Sequence, residues 1–386
     1  MCVKSLNLKA RNLSNLKELC ATYQASGLYT HVYAACGFLE DTKNTAECSL
    51  LPNDDLHARR ERFDLSSLTK AMVTTPLVLW KCMEGGQDPK TATIRDVFGD
   101  LAVDEVGCGT FNQPVENYLR HETGLPAWRN FYTECDSKTQ SLRDVLERHS
   151  LSVPSENPQV EKYSDIGFLI LGALLEKNEG RTLLDLWRRR CHHFGITASD
   201  RLGRAEEFDR DTVIPTAYCP VRTRLLIGEV HDENAWALGG FTGHSGLFGT
   251  GLEVTSFLRE LWQSGGGRKV MLANFGEHAR KGDSLMGWRK GQDDSSRSFA
   301  EGRGCGHLGF TGTAFWVDPL TKSYSVVLTN RVISGRISSE IKTFRREAFK
   351  ILWDNLANNL LSDALDNALD NALDKPAKKN NGKPFP

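Results

Sequence analysis

No stretch of this 386-residue sequence reaches the roughly 18 consecutive apolar residues that a membrane-crossing helix needs. Nor is there an excess of one charge: 48 basic residues stand against 49 acidic ones, for a net charge of −1. That balance offers no basis for nucleic-acid binding or a polybasic membrane contact. A run such as Arg188-Arg189-Arg190 reads as a solvated helix face. No Cys-x-x-Cys pair occurs among the ten cysteines, at positions 2, 20, 36, 48, 82, 108, 135, 191, 219 and 305. An even count permits bridges, yet scattered thiols in a chain of this size read as unpaired residues of a reducing compartment. The opening residues Met1 to Lys9 interrupt their leucines with polar side chains and lack the apolar core of about 7 residues that a secretory signal requires. The expectation is a cytoplasmic protein, or a periplasmic one if a signal has been trimmed.

What is present is ordinary for a globular chain, with 40% hydrophobic and 25% charged residues. The length exceeds one domain of about 150 residues, so two units are expected, over a core large enough to need no disulfide or metal. Leu13, Leu16, Leu19 and Cys20 recur at helical spacing within residues 11–25. Residues 27–38, rich in Tyr, Val and Thr, read as a strand, and the polar residues 41–62 as a solvated loop or hairpin. An apolar helix is expected over 66–84, capped by Asp64 or Ser66 and kinked by Pro76. Residues 85–280 read as mostly helical, with Ile166 to Leu175 forming a buried helix. Strands follow at 313–317 and 324–328 around the turn signal Asp318-Pro319, then a helix over 338–361. The pattern predicts an α+β protein: an antiparallel sheet domain from residues 1–84 and 281–361, flanked by helices, an inserted helical domain over 85–280, and a low-complexity tail over 362–386. In that tail Asp-Asn-Ala-Leu repeats, a period that either extends the last helix or frays, and residues beyond Lys375 read as disordered.

The chemistry sits in three pieces. Ser-x-x-Lys puts a hydroxyl and an amine on one helical face, as a lysine-activated serine nucleophile requires. It occurs at Ser14/Lys17, Ser67/Lys70 and Ser339/Lys342, and only the middle copy opens an apolar helix whose N-terminal amides are free to serve a site. Tyr163-Ser164-Asp165 precedes the buried helix as a loop presenting side chains to a cleft. His-x-Gly appears at 193, 244 and 307, and only His307-Leu308-Gly309 runs into an apparent edge strand over 310–313, where glycine permits close backbone approach.

These pieces resemble the serine β-lactamase and penicillin-binding protein-like superfamily, in particular the branch of class C β-lactamases, D-alanyl-D-alanine carboxypeptidases and esterase relatives. The resemblance covers residues 27–355 and rests on six segments in order: Leu65 to Lys70, His121 to Pro126, Tyr163 to Phe168, Val230 to Ala235, Gly243 to Phe248 and His307 to Thr313. It implies a β-lactamase/transpeptidase-like fold. It further implies Ser67 as nucleophile, Lys70 and Tyr163 as a proton-shuttling pair, and the backbone N–H groups of Ser67 and Phe310 as oxyanion hole. Asp165, His307, Gly309, His231 and His244 are implied as substrate-binding. Two departures stand out against the pattern. Asp165 replaces the usual Asn, accepts rather than donates, and favours a charged Lys70. His307 replaces the usual Lys, so the fixed cation for a substrate carboxylate becomes weak or pH-dependent. Both favour a neutral ester, or a substrate with a free amine, over a β-lactam.

A serine hydrolase of esterase or weak peptidase type, acting on a small-molecule ester, amide or peptide, is therefore expected, with a D,D-carboxypeptidase or β-lactamase and an inactive penicillin-recognising scaffold as alternatives. No cofactor is expected. His231, Asp232, Glu233 and His244 lack regular metal-ligand spacing and read as ordering a loop beside the cleft. His192-His193 reads as helix surface, and His121 and Trp128 as supports for the loop after the preceding helix. Gly243 to Leu247 lacks the last glycine of Gly-x-Ser-x-Gly, which removes the α/β-hydrolase reading.

Overall fold

The computed structural model describes residues 13–41, 45–50, 61–99, 109–133, 160–276, 282–291, 302–336 and 339–373. Six strands, Val32–Phe38 (β1), Thr45–Leu50 (β2), Arg289–Lys290 (β3), Cys305–Leu308 (β4), Ala314–Asp318 (β5) and Ser323–Thr329 (β6), form one antiparallel sheet in the order β2-β1-β6-β5-β4-β3. The two ends of the chain meet at its centre, where Val32 pairs with Thr329 and Phe38 with Ser323. Strand alternation sends Tyr33, Ala35, Phe315, Val317, Tyr324, Val326 and Leu328 to one face. Val32, Ala34, Cys36, Ala314, Trp316 and Val327 go to the other. Both faces are covered, which is why β5 and β6 are buried along their whole length and read as near-continuous apolar runs.

The second face is closed by helices Leu13–Ala25 (α1) and, near the C-terminus, Glu340–Leu373, through Leu16, Cys20, Phe344, Phe349 and Leu352. The first face merges into a larger core with the intervening helices, of which Thr75–Glu84 (α2), Asp165–Glu179 (α3), Leu183–His193 (α4) and Gly251–Gln263 (α5) matter most. The sheet built from both ends of the chain and flanked by helices thus stands as expected. The C-terminal helix (α6, the Glu340–Leu373 span) continues through the Asp-Asn-Ala-Leu repeats as far as Leu373. The residues beyond Lys375, and residues 51–60 of the supposed loop, lie outside the described residues. Among the described residues, the cysteines at 20, 36, 82, 191, 219 and 305 are buried and in no disulfide.

Four local expectations need correction. The first strand begins at Val32 rather than 27, because Asn330 accepts the N–H groups of Thr30 and His31 at 3.0 Å and holds that approach outside the ladder. Residues 310–313 form a tight turn, closed by Gly309 N–H to Thr313 O at 2.7 Å and by Gly312 at φ +108°. The strand before that turn, β4, is an edge only at its His307-Leu308 end: β3 pairs beyond its first two residues, through Arg289–Gly306 and Lys290–Cys305. Lastly, Pro76 does not kink a running helix. A π-helical turn over Lys70–Thr74 leads into α2, with Pro76 at its first turn where the missing N–H is tolerated.

The carbonyls this leaves short of a donor are served from outside. The Trp288 indole donates to Ala71 O at 3.0 Å and the Trp187 indole to Met72 O at 2.8 Å. Both indoles are essentially fully buried, so neither carbonyl can turn to water. Trp187→Phe should therefore destabilise the protein by about 1–3 kcal/mol in urea unfolding, the cost of a buried acceptor without its donor. A change under about 0.5 kcal/mol would show that Met72 O finds another partner.

Candidate active site

The turn that carries Ser67 follows the two-residue strand Phe63–Asp64, which pairs with Phe248–Gly249. Ser66 takes φ +51°, a left-handed backbone unusual for a residue with a Cβ, and Ser67 then opens the helical turn. Lys70, one turn on, is fully buried. Its Nζ lies 2.9 Å from Ser67 Oγ, 3.1 Å from His244 O and 2.7 Å from Asp165 Oδ1. Burial acts to lower the Lys70 pKa, but the Asp165 carboxylate, and after it Tyr163, more than offset this and hold the ammonium above its ordinary range. Asp165 is the first residue of α3, whose N-cap Ser164 accepts from Gly167 N–H. A carboxylate is favoured there by the helix dipole.

Tyr163 packs beneath this group. Its ring centre lies 5.1 Å from Lys70 Nζ, 5.9 Å from the Arg289 guanidinium and 4.4 Å from the His121 ring. His121 supports the loop as expected: buried, it accepts the Ser164 N–H on Nδ1 at 3.1 Å. Burial pushes its pKa down to about 3. Trp128, by contrast, is no buried loop support; it is 44% exposed and lines the cleft.

His307 is buried, its ring 6.2 Å from that of Tyr163. Its Nδ1 lies 2.9 Å from Leu308 O; a carbonyl only accepts, so Nδ1 carries the proton and Nε2 the lone pair. Burial first, then Lys70 and Arg289, hold its pKa well below the usual histidine range. His307 is a neutral ring, not a pH-dependent cation. Gly309 lets the turn touch the segment before Ser67, since a Cβ there would sit 2.0 Å from Thr313 Oγ1 and 2.9 Å from Leu65 O. The Gly309 carbonyl accepts from Arg345 at 2.9 Å, so the Phe310 N–H of the same trans peptide points away from Arg345.

His231 and His244 sit on the opposite wall. His231 is buried with its ring 5.6 Å from that of Phe310, and His244 bridges Asp232 at 2.9 Å and Thr242 at 2.8 Å. Asp165, Asp232 and His244 place ligand-type atoms within 4.8 Å of one another, but Asp165 is paired with the Lys70 ammonium and Asp232 with His244. Ser67, Tyr163, Asp165, His231, His244, His307, Gly309 and Phe310 all line one cleft of about 680 Å³. Ser339 and Lys342 lie at its mouth and Ser14 and Lys17 on α1, all four exposed. His192 and His193 are exposed on α4. Sequence reasoning missed Arg289, Arg331, Arg336 and Arg345, which also line the cleft; isolated arginines carry no motif.

Comparison with known proteins bears on the family and the fold. The family model described as Beta-lactamase matches residues 30–349. The chain is 28% identical over 308 residues to the N-acetylmuramyl-L-alanine amidase of Bacillus subtilis (strain 168), covering 70% of this chain and 68% of that one. It is 26% identical over 303 residues to a putative D-alanyl-D-alanine carboxypeptidase of Escherichia coli (strain K12), covering 70% and 69%. Among solved structures, the D-amino acid amidase from Ochrobactrum anthropi SV3 superposes with a TM-score of 0.64 at 17% identity, covering 90% of this chain and 99% of that one.

Asp165→Asn should lower the Lys70 pKa, because burial, which opposes the ammonium, then acts with its main counterion gone. Titration of the lysine ε-carbons by NMR reads this directly. An unchanged Lys70 resonance would mean that Tyr163 alone sets the charge.

Proposed function

We propose that this chain, which belongs to the Beta-lactamase family by the match over residues 30–349, is a serine hydrolase that forms an acyl-enzyme on Ser67 from a small-molecule amide or ester. The observation that carries the reading is the line Ser67 Oγ–Lys70 Nζ–Asp165 Oδ1, at 2.9 and 2.7 Å. A charged Lys70 has no lone pair, so it takes the Ser67 proton only as it passes one of its own to Asp165. Ser67 Oγ then bonds to the substrate carbonyl carbon, and the oxyanion is met by the N–H groups of Ser67 and Phe310. Collapse breaks the bond to the leaving group, which takes its proton from Tyr163. The Tyr163 oxygen recovers a proton from Asp165 through Lys70, and water repeats the sequence to release the acid. Relatives named amidase and carboxypeptidase favour amide substrates, peptides included, alongside esters.

The cleft also speaks to substrate charge. Among the described residues, its carboxylates are all engaged, Asp165 with Lys70, Asp232 with His244 and Glu233 with Arg336. Arg289 has Asp283 no nearer than 3.8 Å, and Arg331 is held by the carbonyls of Phe310 and Arg336. The resulting positive wall favours a substrate bearing a carboxylate over the neutral ester or free amine suggested by Asp165 and His307 alone.

A fluorophosphonate should label Ser67, and Ser67→Ala should abolish labelling while Ser14→Ala and Ser339→Ala leave it intact. Lys70→Ala and Tyr163→Phe should each slow acylation by about 10²-fold or more, with a double mutant far from additive because both serve one proton path. An adduct on another serine, or additive losses, would overturn the assignment. For matched p-nitrophenyl esters with and without a terminal carboxylate, kcat/KM should favour the carboxylate, and the preference should shrink as salt is added. A preference for the neutral ester at low salt would refute the charge reading.

A further inference from the structure

We infer that Asp64 is a positioning residue for acylation: its buried carboxylate holds Ser66 in the left-handed conformation that aims Ser67, and ties that turn to the His231 loop. The inference rests on the hydrolase reading above. Asp64 is only 3% exposed. Oδ1 accepts the Ser66 N–H at 2.8 Å and Oδ2 the His231 N–H at 2.7 Å. Its backbone carbonyl accepts Thr311 Oγ1 at 2.7 Å, beside the Phe310 amide. One residue therefore joins the nucleophile turn, the loop before Asp232 and the oxyanion strand turn. A left-handed backbone at φ +51° is disfavoured for a serine, and persists only where surrounding contacts over-determine it. The Ser66 N–H bond supplies such a contact at the strained residue itself.

Both acceptors are needed, and only an ionised carboxylate offers both. Burial pushes the Asp64 pKa up to about 6, against the two N–H bonds; Asp232 raises it further and Arg222 lowers it. The His231 imidazole facing the same region is held down to about 4 and stays neutral. Glu61, raised to about 7, faces His31 instead. As pH falls through about 6, Asp64 takes a proton, one oxygen becomes a donor facing an N–H, and the clamp loosens. Acylation should weaken over that same window.

Asp64→Asn puts an amide nitrogen against one of the two N–H donors. It should cut the acylation kcat by about 10- to 100-fold with KM within about threefold, and the acid limb near pH 6 should vanish. Ser66→Gly in that background should restore most of the rate, because glycine adopts positive φ without penalty. Tyr29→Phe, which removes a buried hydrogen bond to Cys20 O on the far side of the sheet, serves as a control of comparable Tm loss and should leave kcat unchanged. If Asp64→Asn does not fold, Asp64→Glu replaces it, keeping the charge but carrying it one methylene too far. Wild-type acylation in a folded Asp64 variant, an unchanged acid limb, or no rescue by Ser66→Gly would each overturn the inference. A wild type that resists fluorophosphonate would instead refute the hydrolase reading. The clamp is then read from amide exchange at Ser66, which must accelerate in Asp64→Asn.

Discussion

A fully buried ammonium sets the terms for the rest of the molecule. Leaving the Lys70 charge uncompensated in the interior would cost several kcal/mol, so each of its acceptors has to be delivered by a different part of the chain. Asp165 comes from the first turn of α3, His244 O from a loop about eighty residues further on, and Ser67 Oγ from the helix that carries Lys70 itself. Each delivery has its own packing requirement. The apolar side chains of α3, buried from Ile166 to Leu171, anchor that helix in the core. The loop before His244 reaches α3 because Gly243 meets Gly172, where a Cβ on Gly243 would fall 2.0 Å from Phe168 O. Substituting either glycine would push away the carbonyl that Lys70 uses.

Burial first, and then the charges of Lys70 and Arg289, keep His307 neutral. A third cation beside those two would raise the electrostatic cost, and the neutral ring commits Nδ1–H to Leu308 O. The cationic character that a lysine at this position would bring is supplied around the site instead. Arg289 lies across the Tyr163 ring on one side, while Arg331 and Arg345 lie on the other, held by carbonyls of the Phe310 turn. One group of positive side chains thus shapes the turn and faces the cleft.

Much of the fold was legible because it follows from periodicity. Runs rich in aromatic and β-branched residues mark β5 and β6, and the continuous run from Ile166 marks a helix with no polar face. The pairing of Ser67 with Lys70 was legible from one-turn spacing, and the engagement of Asp165 with Lys70 from charge alone. What the sequence could not carry was partners supplied from afar. Asn330 takes the amides of Thr30 and His31 and so delays the first strand. Trp187 and Trp288 donate to the carbonyls of Met72 and Ala71 in the π-helical turn that leads to Pro76. Neither is encoded within ten residues of the feature it changes.

Asp64 shows the limit most clearly. From its neighbours it reads as a helix cap, and one oxygen does bond the amide two residues on, as a cap or turn residue would. That bond alone would be a replaceable local detail. The other oxygen bonds the amide of His231, far along the chain, and this makes the cap a joint between the turn that carries Ser67 and the His231 loop. The two bonds also constrain each other: both oxygens are free to accept while the carboxylate is ionised, so the local geometry of Ser66 depends on a charge whose energy is set first by burial, then by the His231 and Ser66 amides, Asp232 and Arg222. The alignment of Ser67 is therefore a property of the assembled cleft rather than of the Ser-x-x-Lys segment that marks it.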